Sequence, residues 1–426
     1  MREHVHPAIP STRHLDAKSG LRALTSMISH PGSPLMGLLA LHRSLRADEF
    51  CLDAPRLHMR VAAGPAAVKR VLHDEAGAHR SRVEGDPVTR LFGDGLLVLD
   101  GPEHQRVKSL LLAASPRSAL ESRLQNSLTA LDEAVQRAIA KGALWLPDAP
   151  RRITWRALEA VYFDHALTPA EERAHFDDLV QLVDYIGPGA WMLTGRTPRR
   201  PKAYTRMRAR LCTVYREALE RPGDAPIHAL ALRYGEAGAS FAVDQLLTLL
   251  VAGHDTATSL LSSLLILLGQ REEIQSALRN EVSAAAGDGL PDVRTVDELP
   301  LLDAVVKEAL RLYPPIHSGL RAHVSSGERA MVSYFLLHRH QDFWPHPDAF
   351  VPERWRVSGP PGAYTYLPFG AGPRFCPGAT FARLEVKWIL ARILQTVRVA
   401  LPSRPPRIAM RAALEHRPTK IRVSRR

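Results

Sequence analysis

The sequence predicts a mainly α fold with a small β component, and three observations predict it. Apolar residues recur at three- and four-residue spacing over long stretches, strand-like runs are few, and one apolar stretch is long enough to cross a whole domain. The helical spacing is plainest in SALESRLQNSLTALDEAVQRAIA (118–140), RMRARLCTVYREALE (206–220) and RLEVKWILARILQTV (383–397). Strand-like runs are limited to RLHMRVAA from Arg56, RAMVSYFLL from Arg329 and short pieces near the C-terminus. The long stretch runs from Phe241 to about Leu268, roughly 40 Å of helix, and is apolar enough on all sides to need burial on most faces.

With 426 residues the chain exceeds what one core requires. It shows no repeat, no low-complexity tract and no Gly/Ser linker, so residues 1–426 are expected to form a single domain and a monomer. The net charge is +12, but the arginines are scattered rather than gathered in one stripe, which argues for a solvated basic surface and against nucleic-acid binding. The densest basic cluster, TGRTPRRPK (Thr194–Lys202), reads as an exposed loop suited to docking or to touching a membrane surface. Only Cys51, Cys212 and Cys376 occur. So few, so widely spaced, they point to a reducing cytoplasm rather than a disulfide framework. The first residues, MREHVHPAIPSTRHLD, lack the apolar core of a signal peptide. The long stretch carries His254 and Asp255 at its centre, which is costly in a bilayer, so it is expected to be a buried helix and not a membrane anchor.

Within that helix, AGHDT (Ala252–Thr256) sets Gly253, a weak helix former, beside an acid that burial penalises. Such local conflicts mark either a kink with a capped hydroxyl or a functional site. Cys376 sits in YLPFGAGPRFCPGATFARLE (366–385), behind glycines that allow positive φ and ahead of a helix start. The N–H groups and dipole at that start are expected to hold a thiolate rather than a thiol. With no His or second Cys at ligand spacing, zinc is not supported. A metal bringing four ligands of its own needs only one from the protein, as haem iron does.

FGAGPRFCPG (Phe369–Gly378) meets every position of the haem-binding loop of cytochrome P450, and the sequence resembles that family from about Pro31 to its end. The resemblance implies the cytochrome P450 fold, with haem b between a long central helix and the cysteine-loop helix, and Cys376 as its axial ligand. Phe369 and Gly378 belong to the same loop. Glu308 and Arg311 in EALR are by themselves an ordinary i, i+3 ion pair; with Arg354 in PERW they resemble the family's buried structural network. His104, Arg321 and Arg374 match propionate-binding positions, and Lys108 stands where relatives often carry Arg. AGHDT falls where the family has its oxygen-activation segment: Ala252 and Gly253 would leave room for dioxygen, Asp255 and Thr256 would relay protons. Val88, Phe92, Ala252, Ile316 and Gly319 fall at substrate-contact positions. Between Arg321 and Leu337 the chain is shorter than the family pattern, which implies a shorter β hairpin.

The implied activity is a monooxygenase inserting one oxygen atom from O2 into a C–H bond of a long apolar substrate. Carotenoid ring hydroxylation is the nearest likeness, with fatty acids or terpenoids next. Only about 50 residues follow the cysteine loop, so electrons from NAD(P)H are expected through a separate ferredoxin or flavodoxin and its reductase. A peroxide-driven peroxygenase and a haem-thiolate sensor or carrier are the alternatives; the Asp255–Thr256 pair argues against the first, and neither an oxygen groove nor a proton relay is needed by the second.

Overall fold

The computed structural model describes residues 13–15, 33–54, 57–81, 86–187, 197–287, 289–401 and 404–425, with short pieces between 19 and 30. Most of the N-terminal segment, residues 194–196 of the basic loop, Arg56 and Gly85 lie outside the described residues. The chain separates into two compact units, each described by itself. The smaller comprises residues 1–81, 316–349 and 358–375; the larger comprises 82–315, 350–357 and 376–426.

The smaller unit holds a six-stranded sheet. Its order is β1 (Arg13–Leu15), β2 (Glu49–Ala54), β3 (Leu57–Ala62), then Arg329–Val332, Gly319–His323 and finally His79–Arg80. The run from Arg329 is strand only as far as Val332; Tyr334–Leu337 forms a helical turn instead, because Ser333 accepts a hydrogen bond from the Leu336 N–H and caps it. The truncated segment still makes an antiparallel hairpin, in register from Gly319–Val332 to Ala322–Arg329. Ala62, Val68, Val71, Leu72, Val332 and Leu337 form a core against which Tyr364, Leu367 and Ala371 of the loop before the cysteine are packed. The loop's conformation therefore rests on a sheet whose residues are distant in sequence.

The larger unit is mainly helical. Its central helix, Ala239–Leu268, runs for 30 residues without a break, so AGHDT is not a kink. It is long and apolar enough to cross a membrane by composition, but its side chains are spent on packing inside this unit. Hydroxyls within it bond back to the helix, Thr248 to the Asp244 carbonyl at 2.8 Å and Thr256 to that of Ala252 at 3.0 Å, which satisfies these two groups inside an apolar helix. Helices Asp148–Tyr162, Lys202–Glu220 and Ala379–Thr396 pack against it. Each fully buried Leu on such an interface contributes about 1.5–3 kcal/mol. The 118–140 run forms two helices, Arg117–Asn126 and Leu128–Ile139, broken where the Ser127 hydroxyl donates to the Leu124 carbonyl. A three-stranded sheet (Ala143–Leu146, Thr419–Arg425, Val397–Ala400) and the hairpin Ile408–Met410/Leu414–His416 complete the unit. The three cysteines are all unpaired by disulfide.

Candidate functional site

Cys376 begins the last segment of the larger unit, and the helix Ala379–Thr396 starts just behind it with Gly378 as its N-cap. Burial pushes the thiol above its ordinary pKa, against the pull of the Gly378 N–H and of the cations Lys108 and Arg383. The helix start and the two cations thus pull the sulfur toward the thiolate, in the direction its position suggested, and a metal deprotonates a coordinating thiol outright. The charge of Lys108 is felt at this sulfur. His104, one turn earlier on Gly101–Ala113, is buried.

In the smaller unit, the loop up to the cysteine is held open by glycines. Gly370 and Gly372 have φ of +73° and +65°, and a Cβ on Gly372 would stand 2.4 Å from the Leu72 carbonyl oxygen. Only glycine fits there. Phe369 and Arg374 are half-buried on this loop, while Phe375 leaves 46% of its surface exposed. Arg321 is half-buried on Gly319–His323; its guanidinium donates to its neighbour's carbonyl, Leu320 O, at 2.8 Å and has no carboxylate partner among the described residues. A half-buried cation without an anion is suited to a carboxylate from outside the chain.

The central helix has one uncovered strip. Between Ala242 and Leu268 every residue is buried except Leu249, Ala252, Gly253 and Thr256, which follow one another at i, i+3, i+4 and i+7 and so share a face. Two of the four are the smallest residues available. Gly253 has a second reason to be small, since a Cβ there would lie 3.0 Å from Leu158 of the neighbouring helix. Successive residues turn by about 100°, so Asp255 does not share Thr256's face and the two make no hydrogen bond.

Asp255 points into a buried cluster. Its carboxyl meets the Arg151 guanidinium at 3.5 Å and accepts from the Ala413 N–H, while the same Arg151 nitrogen bonds Glu415. Burial, reinforced by the negative Glu415, raises the Asp255 pKa to about 7 despite Arg151. Arg151 and Glu415 were not foreseen from the sequence. A signal was present in hindsight: Asp255, Ser259 and Ser263 lie at i, i+4 and i+8, and all three face the 413–416 segment, Ser259 bonding the Leu414 carbonyl and Ser263 pairing with His416 at 3.1 Å.

The Glu308 network assembles within the same unit. Arg311 grips Glu308 twice, Nε to Oε2 at 3.0 Å and Nη2 to Oε1 at 2.8 Å, and Arg354 Nε reaches Oε1 at 3.1 Å. The Trp355 indole and the Val351 N–H donate as well, at 2.8 and 2.9 Å. Glu308 and Arg311 are wholly buried. Burial alone would raise the Glu308 pKa, yet Arg311, Val351 and Arg354 together hold it below the ordinary range.

The substrate positions fare unevenly. Ala252 lies on the uncovered strip, Ile316 is 42% exposed and Gly319 is half-buried. Val88 and Phe92 are buried in the short helix Pro87–Phe92.

Within the larger unit, a lone thiol with no second metal ligand among the described residues suits a metal that brings its other ligands with it, as haem iron does. The class defined is a haem-thiolate protein. The cytochrome P450 family model matches residues 242–423. A putative cytochrome P450 136 of Mycobacterium tuberculosis is 30% identical over 376 residues, 81% of this chain and 74% of that protein. The chain belongs to the cytochrome P450 family. A putative cytochrome P450 120 of Synechocystis is 38% identical over 167 residues, which is 36% of this chain and 37% of the relative's length. Lutein Deficient 5 of Arabidopsis thaliana is 32% identical over 179 residues, 38% of this chain and 30% of its own. In fold, the crystal structure of a cytochrome P450DA heme domain superposes with a TM-score of 0.83 over 97% of both chains, at 21% identity. Membership of this family implies haem bound through a cysteine thiolate.

Proposed function

We propose that this chain inserts one oxygen atom from O2 into a C–H bond of a long apolar substrate, with Cys376 as the haem ligand. The observation that carries this reading is the uncovered strip Leu249–Ala252–Gly253–Thr256 on an otherwise buried helix. Its surface is apolar except for one hydroxyl, which suits an apolar substrate and dioxygen better than a polar ligand. When bound, haem supplies oxygen activation and the chemistry of insertion, with the thiolate as electron donor. Arg321, Arg374, His104 and Lys108 would hold its propionates, and Phe369 and Gly378 would lie along it. The Thr256 hydroxyl, parked on the Ala252 carbonyl at 3.0 Å, would turn to donate a proton at the strip. Asp255 would replace that proton from the buried side of the helix. Glu308, Arg311 and Arg354 would lock the surrounding fold.

Among apolar substrates, ring hydroxylation of a carotenoid is favoured over a fatty acid or terpenoid; it is supported by the similarity to a relative whose name refers to lutein. Ferredoxin or flavodoxin with its reductase would deliver the electrons. Residues 1–426 would work as one haem domain in the cytoplasm, a location that three cysteines without a disulfide support. The test is reconstituted turnover with NAD(P)H, a surrogate ferredoxin pair, labelled O2 and a panel of carotenoids and fatty acids. Label in a hydroxylated product is expected; turnover with peroxide alone, or ligand binding without any turnover, would overturn the monooxygenase reading. Cys376→Ala should abolish the thiolate-type carbonyl spectrum of the reduced protein, and Thr256→Ala should raise peroxide release per NAD(P)H consumed.

A further inference from the structure

The proton on Asp255 has to come from somewhere, and the hairpin packed against that residue supplies a second carboxyl. Glu415 and Asp255 both reach the same Arg151 nitrogen, one from the strand Leu414–His416 and one from the central helix. All three side chains are almost completely buried. Arg151 is the one buried cation the two carboxylates share; Arg411, the second cation near Glu415, is partly exposed and itself paired with Asp184, so the dry interior keeps a negative excess that a single proton removes. Glu415 is also the member nearer solvent: its other oxygen lies 3.5 Å from Arg411, which in turn pairs with Asp184, and both of those are 40–50% exposed.

We propose that Glu415 is a positioning residue for the proton that Asp255 supplies, the two carboxyls sharing one proton across Arg151 and Glu415 reloading from the Arg411–Asp184 side. The step moves no electrons: an O–H bond breaks on Glu415, one forms on Asp255, and solvent returns a proton to Glu415. This rests on Asp255 being the proton source for Thr256. The charged groups facing the pair are Arg151 from the helix Asp148–Tyr162, Arg411 from the hairpin and Asp184 from the helix Pro169–Ile186. His254 and His416, the neighbours in sequence, are kept neutral by burial, with pKa values lowered to about 3 and about 4.

The experiment is an infrared titration of the protonated-carboxyl band in the ferric holoprotein, read beside the pH profile of coupled turnover. The wild type should show a buried carboxyl titrating near neutrality that is lost in Asp255→Asn. Glu415→Gln removes the neighbouring negative charge, so the midpoint should fall by about one unit, with coupled turnover about tenfold lower on the alkaline side. Arg411→Ala, at an exposed position, removes a cation from the pair and should move the midpoint upward. Midpoints unmoved in both variants would overturn the proposal. Full coupling in Asp255→Asn would instead overturn the role of Asp255 itself.

Discussion

The larger unit buries two clusters built from the same residue types, and they behave oppositely. Around Glu308, two guanidiniums, an indole and a backbone N–H converge on one carboxylate, whose pKa falls. Around Arg151, two carboxylates converge on one guanidinium, and the pKa of each rises. In the first, two cations and two neutral donors serve one acid, so removing Arg311 leaves a wholly buried carboxylate short of its main partner. In the second, the mismatch makes a proton part of the structure. The ratio of acids to cations, not the presence of a buried ion pair, separates a lock from a proton store.

Arg311→Ala should be the most damaging change. Breaking a buried pair costs about 3–5 kcal/mol, so loss of soluble or haem-replete protein is expected; a folded, haem-loaded variant would end the claim that this cluster is a lock. Asp255→Asn should leave the fold intact and lower coupled turnover by about a hundredfold, the low end of what proton transfer contributes. Loss of folding there would mean the two clusters are alike.

The pH dependence of stability should carry opposite signs. Asp255 has a folded pKa of about 7 against an ordinary value near 4, so the folded state binds the extra proton and stability falls as pH rises across that window. Glu308 has a depressed folded pKa, so its contribution is present above the ordinary carboxylate pKa and lost as pH falls through the folded one. Thermal melts of the wild type and Asp255→Asn between pH 4 and 8 should converge in acid and separate towards neutrality, with the variant relatively more stable there; parallel curves would contradict the raised pKa. The smallest effect is expected from Trp355→Phe, which removes one donor from Glu308 and should cost about 1–3 kcal/mol in denaturant unfolding. No change would show that the indole is redundant in the lock.

Short-range patterns were legible without coordinates. The central helix from its apolar run, the helix behind Cys376, the Glu308–Arg311 pair at i, i+3 and the glycines of the cysteine loop all depend on spacing within a few turns. The break at Ser127 and the helical turn at Tyr334–Leu337 were less legible, because a single serine hydroxyl decided each.

What the sequence by itself determined is therefore the mainly helical class, the lone cysteine with its glycine loop, and the placing of Asp255 and Thr256 side by side within the central helix. Only the tertiary structure decided that Asp255 and Thr256 lie on different faces, and that Arg151 and Glu415 complete the acid cluster. The physical reason is range. Helical spacing is set by neighbours four residues apart, whereas Glu415 meets Arg151 across 264 positions of chain, and desolvation depends on every side chain that closes over the group.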